Sequence, residues 1–186
     1  MSKFKFFSNF GARIRGSRPK VNDRLRVGGY FTFTARNKDG SIAWQEKLVP
    51  NGVTNAGLND LLDVYFDAGT QDTTWFIGLV NNAGFTAFAA ADTSASHSGW
   101  TELTDYTEAT RVAWVPGEPA SQSITGPAAT FTINTTVAIK GAFLIGIDTK
   151  GGTTGILFAT GAFGSVQNLV NAQTLDVTYT CAAASS

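Results

Sequence analysis

The residues that could do chemistry are few, and their spacing argues against a reaction. His97 is the only histidine and stands among Ser94, Ser96 and Ser98, the residue types of a hydroxyl nucleophile with its base. Neighbours on an extended segment point to alternate sides, whereas a nucleophile, a base and an orienting acid converge from separate elements. The pattern predicts a loop hydrogen-bonder packed beside Trp100. Asp105 and Glu108 have the chemistry of a glycosidase pair, but carboxylates this close in sequence belong ordinarily to a solvated edge. Gly151-Gly152 falls in a predicted hairpin, not at the strand-to-helix turn that cradles phosphate. One histidine and one cysteine supply no zinc ligand set, and no Asp-x-Asp-x-Asp-Gly calcium loop is present, so neither metal nor cofactor is expected and the chain is not read as an enzyme. Trp100, Tyr106 and Trp114 would make a sugar-binding platform if exposed and coplanar, which keeps a carbohydrate-binding module as an alternative.

The strongest signal is electrostatic. The first 26 residues hold eight basic side chains (Lys3, Lys5, Arg13, Arg15, Arg18, Lys20, Arg24 and Arg26) against Asp23 alone, a net near +7. The other six Lys and Arg face thirteen Asp and Glu in the rest, a net near −7, which brings the chain to its formal zero. A basic leash on an acidic body suits a subunit that reaches a neighbour, because complementary potentials guide and register association. Phe4, Phe6, Phe7 and Phe10 add apolar rings to the same leash. Together with the eight cations they are the expected partner-binding residues. Phe4, Phe7, Gly11 and Ile14 fall near helical spacing, but Gly11 and Gly16 each lower helix propensity by about 1 kcal/mol, so ordering is expected to wait for a partner. The alternative folds the four rings onto the protein's own core. Eight cations with interleaved rings would also suit nucleic acid, with salt-steep, sequence-blind binding. The acidic body favours a protein partner, ahead of a membrane-surface helix or an organellar targeting peptide.

Residues 1–27 are therefore read as a basic N-terminal arm and 28–186 as a β-rich body. Beyond Gly28 the period is two, with Phe31, Phe33 and Ala35 on one side and Tyr30, Thr32 and Thr34 on the other. Asn37-Lys38-Asp39-Gly40 supplies a turn, and Ile42, Trp44, Glu46 and Leu48 alternate to close a hairpin. Leu58, Leu61, Leu62, Tyr65 and Phe66 then recur at helical spacing opposite Asn59, Asp60 and Asp63. Thr54 or Asn55 offers the N-cap, and Gly69 the left-handed residue that ends the helix. Further strands are expected at 75–80, 100–106, 111–115, 129–134, 137–147, 156–163 and 174–182. In the last, Leu175, Val177, Tyr179 and Cys181 face inward, which places Cys181 in the core. The stretch 148–154 should close a hairpin through its paired glycines. Two long segments, 81–99 and 116–127, form no element; Phe85 and Phe88 in the first either anchor the loop or touch another subunit. About nine strands and one amphipathic helix predict a mainly β fold, a β-sandwich or jelly-roll-like body packed against the helix.

At 186 residues, 43% apolar and 12% aromatic, the chain has enough to build one ordinary core. Lone Cys181 makes no intrachain disulfide, so stability rests on packing. The opening residues lack the apolar core of a secretory signal, and no 18-residue apolar run follows, so no membrane role is expected.

The segments NGVTNAGLN at 51–59, WFIGL at 75–79, ADT at 91–93, SHSGWTE at 96–102, ATFTI at 129–133, GAFL at 141–144 and TLDVTYT at 174–180 resemble, in order, a set that recurs in small β-rich virion proteins of tailed bacteriophages. The likeness covers roughly residues 28–182 and leaves out the arm. It implies a structural component of the particle, located in the virion. The expectation is a capsid decoration (cement) protein whose arm ties neighbouring subunits, with the major capsid protein or other virion subunits as partners and homo-oligomers as its state. A head-to-tail connector or tail component is the alternative.

Overall fold

A computed structural model describes residues 25–185. It is mainly β, with two antiparallel sheets and one helix. Strand β1, Leu25–Arg36, buries Phe31, Phe33 and Ala35 completely while Tyr30 and Thr32 on the other face remain half-buried; Thr34 on that face is buried too, where its Oγ1 accepts from Gln45 Nε2. The strand begins at Leu25, so Leu25, Arg26 and Val27, read as arm, pair with Ser185, Ala184 and Ala183. The turn follows at Gly40, where φ is 84°. Strand β2, Ile42–Pro50, does not keep the expected alternation. Leu48 takes φ 54° and is 63% exposed, which switches the phase and sends Val49 into the core in its place.

The short β3, Gly52–Val53, leads into α1, Asn55–Phe66. Thr54 is the N-cap: its Oγ1 accepts from the Gly57 backbone N–H at 3.0 Å. At the far end the left-handed residue is Ala68, φ 56°, and not Gly69. Gly69 instead lets the chain pass close to Asp63, whose carboxylate would have to shift to admit a Cβ there.

The remaining strands are β4 (Trp75–Asn81), β5 (Glu102–Leu103), β6 (Val112–Trp114), β7 (Ser123–Thr125), β8 (Ala129–Thr132), β9 (Val137–Ile145), β10 (Leu157–Leu169) and β11 (Thr174–Ser185). One sheet runs β2-β1-β11-β7 with β8 also on β11; the other runs β3-β10-β9-β4-β5 with β6 also on β4. The stretch 100–106 is shorter as a strand than its pattern suggests, and β10 continues past Phe163. Strand β7 lies inside 116–127, where no element was expected. Its turn, Ser121-Gln122, holds both residues at positive φ (51° and 57°), the backbone of a two-residue hairpin made without Gly or Asn.

The core lies between the sheets. Phe33 meets Phe163 edge-on at 4.5 Å between centroids, and Trp114 meets Tyr179 at 5.3 Å. Phe163 follows Ala159 and Gly161 inward in period two, and beyond Ala162 the pairing of β10 with β9 is irregular. A second cluster covers the outer face of the β9 sheet: Val80, Phe143, Ile145 and Leu157 under Trp100, Phe85 and Phe88. Phe85 and Phe88 thus anchor the 82–101 loop to its own sheet. No helix among the described residues is long and apolar enough to cross a membrane.

Gly78 sits opposite Phe143 in the β4–β9 register, and a Cβ at 78 would stand 2.1 Å from the ring's Cζ. The ring has no room to retreat, with Trp100 at 5.1 Å and the Arg111 guanidinium at 5.3 Å. Gly78→Ala is expected to lower stability by about 1–3 kcal/mol, read as a lower urea midpoint at unchanged m-value. Gly164→Ala on β10, where the added Cβ meets nothing within 4 Å, should move the midpoint little.

Candidate interaction surface

The residues that resembled a reaction centre are occupied elsewhere. The His97 ring stacks on Trp100, centroids 4.0 Å apart and 22° from parallel, and its Nδ1 lies 3.0 Å from the Trp100 carbonyl. Ser94 Oγ donates to the Thr154 carbonyl at 2.7 Å, so neither hydroxyl nor imidazole is aimed at a common point. Trp100 Nε1 donates to the Asp92 carboxylate at 2.9 Å, which locks the loop around its anchor. Glu108 accepts from the Thr132 N–H through both oxygens at 3.0 and 3.1 Å, while Asp105 contributes only its carbonyl, to Asn134. Trp100, Tyr106 and Trp114 are 3%, 2% and 6% exposed and offer no platform to a sugar.

The sequence gives no hint of the centre that does form. Arg111 is buried and paired with Glu102 at 2.9 and 2.8 Å, a two-point fork. The same guanidinium donates to the Ile147 and Gly152 carbonyls, and Glu102 accepts from the Gly151 N–H at 2.7 Å. The pair therefore fastens the 148–154 turn to β5 and to the segment before β6. Four of the five guanidinium N–H groups donate to the protein itself, which suits an architectural role.

Helix α1 carries an exposed apolar stripe. Its only fully buried residue is Gly57, whose missing Cβ lets the helix approach Phe158 closely; an added Cβ would be 2.7 Å from the Phe158 carbonyl oxygen. The helix thus touches β10 through its first turn, and the apolar stripe is left outside. Leu62 is 50% exposed, Tyr65 80% and Phe66 75%. These side chains form one wall of a groove of about 510 Å³, and Leu25, Val27, Ile124 and Cys181 line it from the sheet side. Cys181 is half-buried at this boundary, packed against the core and not inside it; burial pushes its thiol pKa up. On the other flank of α1 a second groove includes Asp60, Asp63 and Asp67 and shares Leu62. Burial raises the Asp60 pKa first, and the charges of Asp72 and Asp63 add to it.

Of the expected partner-binding residues, Lys3, Phe4, Lys5, Phe6, Phe7, Phe10, Arg13, Arg15, Arg18, Lys20 and Arg24 lie outside the described residues. Arg26 is within them, exposed on β1. The α1 stripe was legible as a stripe, but the direction it faces was not.

Two outcomes follow from these charges. Glu102→Ala leaves a buried cation without its partner and is expected to cost about 3–5 kcal/mol, while Glu102→Leu combined with Arg111→Met should cost clearly less, both read from urea unfolding. Asp60 resists ionising in the folded state, so its charge opposes folding above its raised pKa and ceases to do so as pH falls through it. Asp60→Asn should accordingly raise the thermal midpoint at neutral pH, with the gain vanishing below the ordinary carboxylate pKa of 3.8.

No protein-family model matches this chain, and no curated protein matches it either.

Proposed function

We propose that this protein is a structural subunit of a tailed-bacteriophage particle, a capsid decoration protein whose basic, Phe-bearing arm ties neighbouring subunits together. The observation that carries this reading is the charge split, near +7 in the first 26 residues and near −7 in the rest. A separation of that size makes each copy both a positive reach and a negative landing surface, which steers association and sets its direction. The ordered motifs at 51–59, 75–79, 91–102, 129–133, 141–144 and 174–180 support the virion setting through their resemblance to phage structural proteins. The described body is compatible with a binding role: Leu58, Leu61, Leu62, Tyr65 and Phe66 of α1 are all exposed, beside a groove of apolar lining. An arm of this composition gains apolar burial and charge-assisted contacts over a wide area, at the entropic cost of ordering on binding.

Deletion of residues 2–24 keeps every residue of β1 and is expected to leave the unfolding midpoint of the body nearly unchanged while abolishing incorporation into particles. Binding of the intact protein to its acceptor should weaken with added salt and be indifferent to nuclease. A truncated protein that incorporates normally would overturn the assembly role of the arm, and loss of binding after nuclease treatment would transfer the acceptor to nucleic acid.

A further inference from the structure

We infer that the groove between α1 and the β1–β11 edge is the receptor for the Phe-bearing segment 3–10 of the arm of a second copy of this chain. This deepens the assembly reading and rests on it.

Three observations converge on that occupant. The groove is apolar along its length, and its α1 wall is formed by Leu61, Leu62, Tyr65 and Phe66, of which the last two are at least three-quarters exposed. At about 510 Å³ it has the size of a side-chain or small-ligand site, not of a docking face for a folded domain. A short segment carrying Phe4, Phe6, Phe7 and Phe10 matches it in chemistry and scale.

Charge selects the same segment. Asp60, Asp63 and Asp67 flank the helix on the side away from the groove, and α1 contains no Lys or Arg to oppose them. Lys3 and Lys5 alternate with the Phe residues, so rings can enter the apolar channel while ammonium groups lie toward the acidic flank. A neutral or acidic peptide would gain only the apolar half of this match.

The place where the described chain begins points to a neighbouring copy. Leu25 is itself part of the groove lining. A chain's own arm therefore starts at its own groove and must reverse completely to lay residues 3–10 back into it. The fourteen residues between Phe10 and Leu25 span up to about 50 Å when extended. That exceeds the roughly 40 Å diameter of a body of this length, so a neighbour's groove is within reach without reversal. Each copy then gives one arm and receives one, a head-to-tail contact that closes into a ring when the rotation permits.

Cys181 is the chain's only cysteine and lines the groove, which makes it a built-in reporter. The full-length Phe6→Cys variant, concentrated and oxidised with copper phenanthroline, should give a ladder of covalent trimers and higher species, because two thiols per chain are linked head to tail. Phe4→Cys and Phe10→Cys test neighbouring positions in case residue 6 is poorly placed for the bond. Adding Cys181→Ser must abolish the covalent species, and so must Leu62→Asp with Tyr65→Asp, both at exposed positions. An internally bridged monomer alone, or dimers that persist without Cys181, would overturn the inference. If none of the three cysteine variants forms the ladder and deletion of 2–24 still abolishes incorporation, the groove is wrong and the arm's role in assembly stands; if the deletion has no effect, the assembly reading itself falls.

Discussion

Strand β9 has to bury both of its faces, and much of the molecule follows from that requirement. Ile139, Ala142 and Leu144 point between the sheets, while Phe143 and Ile145 point the other way and would meet water if nothing covered them. The cover is the 82–101 loop, brought down by Phe85, Phe88 and Trp100. Its residues have to be held without a strand or helix of their own, so side chains do the holding. His97 stacks on Trp100, Asp92 accepts the indole N–H, and Ser94 reaches the Thr154 carbonyl. The groups that most resembled a reaction centre are the fastenings of a third layer. The Arg111–Glu102 fork acts in the same way at the edge of that layer, where its guanidinium also lies over the Phe143 ring.

Local patterns were legible wherever the physics is local. Phe31, Phe33 and Ala35 alternate into the core as their spacing requires, and Leu175, Val177 and Tyr179 do the same on β11. Thr54 caps α1 by a bond to a backbone N–H three residues on. The misreadings occur where distant contacts decide. Nothing near Leu48 announces that it will turn to positive φ and yield its inward place to Val49. Ser121-Gln122 makes a tight turn without the Gly or Asn that normally signals one, because the β7–β11 pairing holds it there.

The interaction surface was half visible. Five apolar residues at helical spacing give the stripe, but whether a stripe faces its own core or stays outside depends on how the helix is anchored. Here Gly57 presses the first turn onto Phe158 and fixes the rotation of α1 about its axis, an event that helical spacing alone does not encode. The fork between Glu102 and Arg111 was missed for a related reason. Glu102 opens the two-residue β5, Arg111 stands just before β6, and the carbonyls it reaches belong to Ile147 and Gly152 outside any strand, where sequence distance carries no geometric meaning.

The groove also has a place in time. Its sheet-side wall combines Leu25 and Val27 of β1 with Cys181 of β11, strands at opposite ends of the described chain that meet along a twelve-residue antiparallel register. During synthesis the leading segment leaves the ribosome first, and the wall is completed only after the final strand has emerged and paired. Chains in which β11 has not yet paired with β1 lack this wall, so whatever seats there meets only molecules in which the two strands have joined.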